Sequence, residues 1–101
     1  MILEVVMLQV KVGMEEEYED ILREAYQIIS QARGFISLEL KRCIEIRGKY
    51  LLFTKWETLE DHIIGFRQSL MYQEWMALLH HFYELPLIVE HFENVDFKEW
   101  G

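Results

Sequence analysis

Residues 2–34, ILEVVMLQVKVGMEEEYEDILREAYQIISQARG, change their hydrophobic period once, and that change decides the fold. Residues 2–12 are dense in Val, Ile and Leu, too short for a strong helix, and closed by Gly13, which reads as a strand. From Met14 the spacing becomes helical: Met14, Tyr18, Ile21, Leu22, Ala25, Ile28, Ile29 and Ala32 form one stripe. Glu15, Glu16 and Glu17 occupy the first turn, where the helix dipole favours anions, and Gly34 is the stop signal.

Outward from this β-α opening, Phe35–Cys43 and Lys49–Glu57 read as an antiparallel hairpin with Gly48 in its connection. Thr58 is placed to cap a helix with Leu59, Ile63 and Phe66 on its apolar edge, His62 beside them and Asp61 at the capping-box position. Ser69 reads as a fresh N-cap, followed by Tyr72, Trp75, Met76, Leu79 and Tyr83 at helical spacing. Pro86 is expected to end that helix, Leu87–Val95 to form the last strand, and Phe97–Gly101 a short tail. The order β-α-β-β-α-α-β predicts an α+β, ferredoxin-like unit on an antiparallel four-stranded sheet, a single domain over residues 1–101.

In such a unit all helices cover one sheet face, so strands should alternate apolar and polar. These do not. Val6, Leu8 and Val10 share one face of the first strand, yet Leu3, Val5 and Met7 share the other. Tyr50, Leu52 and Trp56 oppose Leu51 and Phe53, and Leu87 and Val89 oppose Ile88 and Phe92. Two apolar faces need two covers, which predicts a homodimer through the outer sheet face.

With 18 acidic against 10 basic side chains and a net charge of -8, the chain lacks the basic footprint that nucleic acid or an anionic membrane requires. The lone Cys43 cannot form an internal disulfide and has no evident base nearby, so neither a staple nor a nucleophile is expected. No apolar run approaches the ~20 residues of a membrane span. Met1-Ile2-Leu3-Glu4-Val5 has no basic leader and puts a carboxylate where a signal peptide is apolar, so a cytoplasmic protein is the expectation.

The stretch from Trp56 to Trp75 carries the pattern W-x(5)-H-x-x-G-F-R-x-S-x-x-Y-x-x-W on Trp56, His62, Gly65, Phe66, Arg67, Ser69, Tyr72 and Trp75. His80-His81-Phe82-Tyr83, Pro86 and Glu90-His91-Phe92 follow it. This arrangement resembles the antibiotic biosynthesis monooxygenase family over about residues 2–95, although Arg33 stands where proline is frequent. The resemblance implies a dimeric α+β barrel in which two sheets face one another, the last strand of each subunit reaches across to its partner, and each sheet and its own helices enclose a pocket. It also implies oxygenation of activated aromatics or quinols without flavin, haem or metal. Haem-degrading relatives use an Asn, a Trp and a His at positions that fall here on Val6, Phe66 and Met76, which argues against haem.

Within that frame the candidate catalytic residues are His62, Arg67 and His80, and the candidate pocket is Trp56, Phe66, Tyr72, Trp75, Met76 and Tyr83. Each has a plainer alternative. His62 is either a core or interface histidine or a general base, its ordinary pKa of ~6.5 suiting abstraction from a phenol or quinol. Arg67 is either a surface charge or the partner of a developing enolate or phenolate oxygen. His80 either caps its helix or hydrogen-bonds substrate. His81 is expected in solvent and His91 at the subunit interface. The aromatics are core first, yet beside a histidine and an arginine they also make a flat apolar slot.

No metal is expected, because adjacent His80 and His81 diverge by ~100° on a regular helix and no H-E-x-x-H or Cys/His cluster occurs. The function these readings point to is a cofactor-independent monooxygenase of a small aromatic, phenolic or quinol-type substrate. The alternatives are a non-catalytic ligand-binding dimerisation domain and an isomerase of a small metabolite.

Overall fold

The period change at Gly13 is a change of element in the computed structural model, which describes residues 1–97. The expected tail therefore lies, beyond Phe97, outside the described residues. Strand β1 runs Ile2–Val10 and helix α1 Glu15–Ile29, with Gly13 turning the chain between them at a φ of 86° that a side chain would strain. Tyr18, Leu22, Ala25 and Ile29 are the buried face of α1. Strands β2, Phe35–Arg42, and β3, Lys49–Trp56, form the hairpin. After β3 come a π-helical turn Asp61–Phe66, helix α2 Leu70–Leu79, a 3-10 turn His80–Phe82 and strand β4 Tyr83–Phe92.

The sheet is antiparallel throughout, in the order β2-β3-β1-β4. Together with two main helices this is the α+β ferredoxin-like fold. Side-chain parity follows the period of two. Val6, Leu8 and Val10 from β1 meet Tyr50, Leu52 and Trp56 from β3 under the helices, and all six are buried. Leu3, Val5, Met7, Leu51, Phe53, Ile88 and Phe92 have the opposite parity and form an apolar patch on the other face. Among them Met7, Ile88 and Phe92 are 36%, 45% and 49% exposed.

Two local expectations are corrected. Pro86 does not end a helix and the last strand does not start at Leu87. Helix α2 ends at Leu79, Tyr83 already belongs to β4, and Pro86 lies inside that strand. An edge strand tolerates proline, and β4 is at the edge; the register also slips between Met7 and Gln9, so Leu8 of β1 faces the stretch that contains Pro86. The second correction concerns the helix after Thr58. Thr58 Oγ1 does accept from the Asp61 N–H, at 3.1 Å, but the turn that follows is wound i→i+5, with the Arg67 N–H donating to the His62 carbonyl at 2.9 Å. The wider turn buries His62 and Phe66 and leaves Ile63 37% exposed rather than on the buried edge.

Gly34 leaves room for this turn. A Cβ there would collide with the Asp61 side chain, and its φ of 82° already disfavours one. Ser69 caps α2 as expected, its hydroxyl accepting from the Tyr72 N–H at 3.2 Å.

Candidate functional site

Glu4 shares the inward parity of Val6, Leu8 and Val10, so β1 carries a carboxylate into the layer between sheet and helices. Across the β1–β4 ladder its direct partner is His91, which has the parity of Leu87 and Val89. The π-helical turn lowers His62 onto this pair. His62 Nε2 lies 3.3 Å from Glu4 Oε2, and His62 Nδ1 lies 2.8 Å from His91 Nε2. Trp56 of β3 donates its indole N–H to Glu4 Oε1 at 3.0 Å and stacks on the His62 ring, 5.3 Å between centroids at 22°. Four residues from four segments thus form one chain of contacts, with Glu4 8%, His62 2% and Trp56 0% exposed.

The chain of contacts opens on a cavity of about 60 Å³ between the sheet and its helices. Glu4, Thr54, His62, Arg67, Tyr72 and Tyr83 supply the polar lining, and Phe66, Trp75 and Met76 lead the apolar lining. The Tyr83 hydroxyl is 3.0 Å from that of Tyr18, and burial pushes its pKa up to about 12, so it stays protonated. Arg67 is exposed at the rim, and its positive charge acts on Glu4, His62 and His91 alike.

Burial decides the protonation of the dyad. It drives the His62 pKa from an ordinary 6.5 down to about 4, with Arg67 and then His91 adding to the shift. The Glu4 carboxyl goes up, because desolvation outweighs the Trp56 hydrogen bond and the Arg67 charge. We therefore assign the 3.3 Å contact to a neutral imidazole, Nε2–H donating to Glu4 and Nδ1 accepting from His91, rather than to an ion pair.

Folded His62 refuses a proton that the unfolded chain accepts. Its contribution to stability is whole above pH 6.5 and is lost as the pH falls toward 4, by up to about 3 kcal/mol. His91, also lowered, works in the same direction, whereas raised Glu4 contributes most below 4.5 and less as the pH rises. The melting temperature is expected to drop between pH 6.5 and 4, and to drop less steeply in His62→Gln. Parallel slopes for the two proteins would remove His62 as the titrating group.

Of the residues singled out from the sequence, His62, Arg67, Phe66, Tyr72, Trp75, Met76 and Tyr83 all line the cavity. Trp56 stands behind it, touching His62 and Glu4. His80 does not reach it: the helix tightens to a 3-10 turn after Leu79, leaving the ring exposed and 5.9 Å from that of His81. His91, expected at the interface, has its ring on the helix side against His62. Glu4 and Thr54 were missed. Their signal was strand parity, since Glu4 follows the phase of Val6, Leu8 and Val10, and Thr54 that of Leu52 and Trp56. Because His62 presents opposite ring nitrogens to Glu4 and His91, those three groups do not converge on a point. Among the described residues no three His, Cys, Asp or Glu could hold a metal ion.

Residues 1–78 match the family model described as antibiotic biosynthesis monooxygenase. The chain is 53% identical over 95 residues to the uncharacterized protein YczJ of Bacillus subtilis (strain 168), covering 94% of this chain and 100% of that protein. A candidate antibiotic biosynthesis monooxygenase from Bordetella bronchiseptica superposes with a TM-score of 0.90 at 34% identity, over 93% of this chain and 96% of that one. SnoaB, a cofactor-independent oxygenase from Streptomyces nogalater, has the same fold, with a TM-score of 0.76 at 16% identity over 94% and 93% of the two chains.

Proposed function

The chain belongs to the antibiotic biosynthesis monooxygenase family, and from that membership we propose that it oxygenates a small phenolic, aromatic or quinol-type molecule with dioxygen, without a cofactor. The observation that carries this reading is the buried Glu4–His62 pair opening on a cavity lined by aromatics, with Arg67 at its rim. The pair removes a proton from the bound molecule. The resulting anion passes one electron to dioxygen, and the two radicals combine into a carbon–oxygen bond. Loss of water then leaves a carbonyl: one oxygen atom stays on carbon, the other departs as water, and the substrate supplies all the electrons. The protein contributes orientation, a matched proton acceptor and a dry site.

A cavity of about 60 Å³ is well below the ~150 Å³ that accommodates benzene, so a ring enters only when side chains move aside. Met76, half-buried and flexible, and Arg67, exposed at the rim, are best suited to move. One ring is favoured over three. The apolar outer face of the sheet is covered by a second copy of the chain, as the family resemblance implies, which makes the unit a dimer.

Oxygen uptake measured with hydroquinone and with the three-ring anthrone tests the reading. Uptake above background is expected, greater with hydroquinone, and at least about 10-fold slower in His62→Ala. No uptake with either would overturn the oxygenase reading. Net conversion of a ligand into an isomeric product under strict anaerobiosis would replace it with isomerisation.

A further inference from the structure

Both nitrogens of His62 are already engaged, Nε2 with Glu4 and Nδ1 with His91. A base needs a free lone pair within hydrogen-bond reach of the proton that it takes, and in this arrangement the imidazole offers none. Glu4 does. Its Oε1 accepts from Trp56 and its Oε2 from His62, but each carboxylate oxygen can accept twice, and Glu4 lines the cavity itself. We propose that Glu4 is the catalytic base that takes the proton from the bound molecule, and that His62 and His91 are positioning residues that aim its carboxylate. The proposal names the acceptor within the function proposed above and rests on that reading only for the oxygen chemistry that follows.

The arrangement has the logic of a triad with the order changed. His91 and Glu4 are cross-strand partners on β4 and β1, so the sheet fixes their spacing. The Nε2–H of His91 directed at His62 Nδ1 selects the tautomer whose own N–H points at Glu4. Trp56 locks the ring by stacking and holds the other carboxylate oxygen. Among the described residues, the charged and titratable groups around Glu4 and the cavity that it lines are His62 from the π-helical turn, Arg67 just after it, Tyr72 of α2, and Tyr83 and His91 of β4. Burial raises the Glu4 pKa, which moves it toward the range in which a carboxylate is an effective base near neutrality.

In the proton step, the C–H or O–H bond of the ligand breaks and its electron pair stays on the ligand as an enolate or phenolate. The proton joins a Glu4 carboxylate oxygen, and the new anion lies in the field of Arg67. Nothing is oxidised or reduced in this step. It can therefore be watched without oxygen.

The test uses 2-indanone, a compact carbon acid, in anaerobic deuterium oxide, with loss of its benzylic C–H signal followed by NMR. The wild-type protein is expected to accelerate exchange over buffer. Glu4→Gln, which keeps the shape and an acceptor for Trp56, is expected to lose about 100-fold of that acceleration or more. Glu4→Asp is expected to retain a part of it, and His62→Gln to shift its pH profile. Circular dichroism of each variant checks that it is folded. Exchange in folded Glu4→Gln equal to wild type, or no acceleration by the wild type, overturns the proposal. Glu4-dependent exchange from a protein that consumes no oxygen supports Glu4 as the base and rejects the oxygenase reading alone.

Discussion

Trp56→Ala is expected to lower the melting temperature by roughly 12 °C or more. The side chain is fully buried, and truncating a buried Phe or Trp to Ala costs about 3–5 kcal/mol through lost transfer and a residual cavity. In a domain of this size each kcal/mol is worth about 4–8 °C. Two further losses add to the first. Glu4 loses the donor on Oε1 while staying buried, and His62 loses the surface on which it stacks. Phe35 and Phe66 also pack against the indole, at 6.0 and 5.5 Å between centroids. Trp56→Phe separates the effects in part, keeping a buried aromatic ring while removing the N–H with a smaller loss of volume than Ala, and is expected to cost about 1–3 kcal/mol. A Trp56→Ala protein melting within about 4 °C of wild type would mean that the cluster reorganises around the gap and that the indole is no keystone.

Val5→Asp is expected to convert the proposed dimer into a monomer. Val5 is on central strand β1, between Phe53 of β3 and Glu90 of β4, in the middle of the outward apolar face. In a two-fold assembly through that face one substitution introduces two carboxylates, each buried without a partner. The cost is several kcal/mol, and about 4 kcal/mol already weakens association about 1000-fold. Sedimentation at micromolar concentration should give twice the 12.3 kDa chain mass for wild type and a single chain for the variant. A folded wild-type monomer under those conditions would leave the apolar face without its cover and overturn the dimer.

The order of elements was legible because most boundaries are written locally: Gly13 and Gly34 with positive φ, the three glutamates opening α1, and Ser69 capping α2. The two-faced strands were legible too, since period-two parity assigns every side chain in β1 and β3 to a side. The π-helical turn was not. Asp61, in that turn, packs over Gly34, a contact 27 positions apart in sequence, while local spacing in 59–66 suits an ordinary helix equally well. Pro86 misled for a related reason. Its meaning depends on whether its strand lies at an edge, which only the sheet order reveals.

The pocket aromatics were visible as a helical stripe, but its chemistry was not. Glu4 meets Trp56 across 52 positions and His62 meets His91 across 29, and no motif spacing encodes either meeting. His62 drew attention as a lone histidine on an apolar edge. The partners that occupy both its nitrogens come from the first and last strands, where a carboxylate or an imidazole amid aliphatics looks like an interruption.

Strand β1 reads differently once its two sides are compared. Even-numbered positions Glu4, Val6 and Leu8 serve the interior, and odd-numbered Leu3, Val5 and Met7 serve the exterior. One codon gained or lost within it would trade these sets, expelling the acid and turning its greasy neighbours toward the hollow. Two codons would restore the pattern beyond the change. A one-residue insertion in that ribbon is therefore expected to disrupt the protein more than a two-residue insertion at the same place.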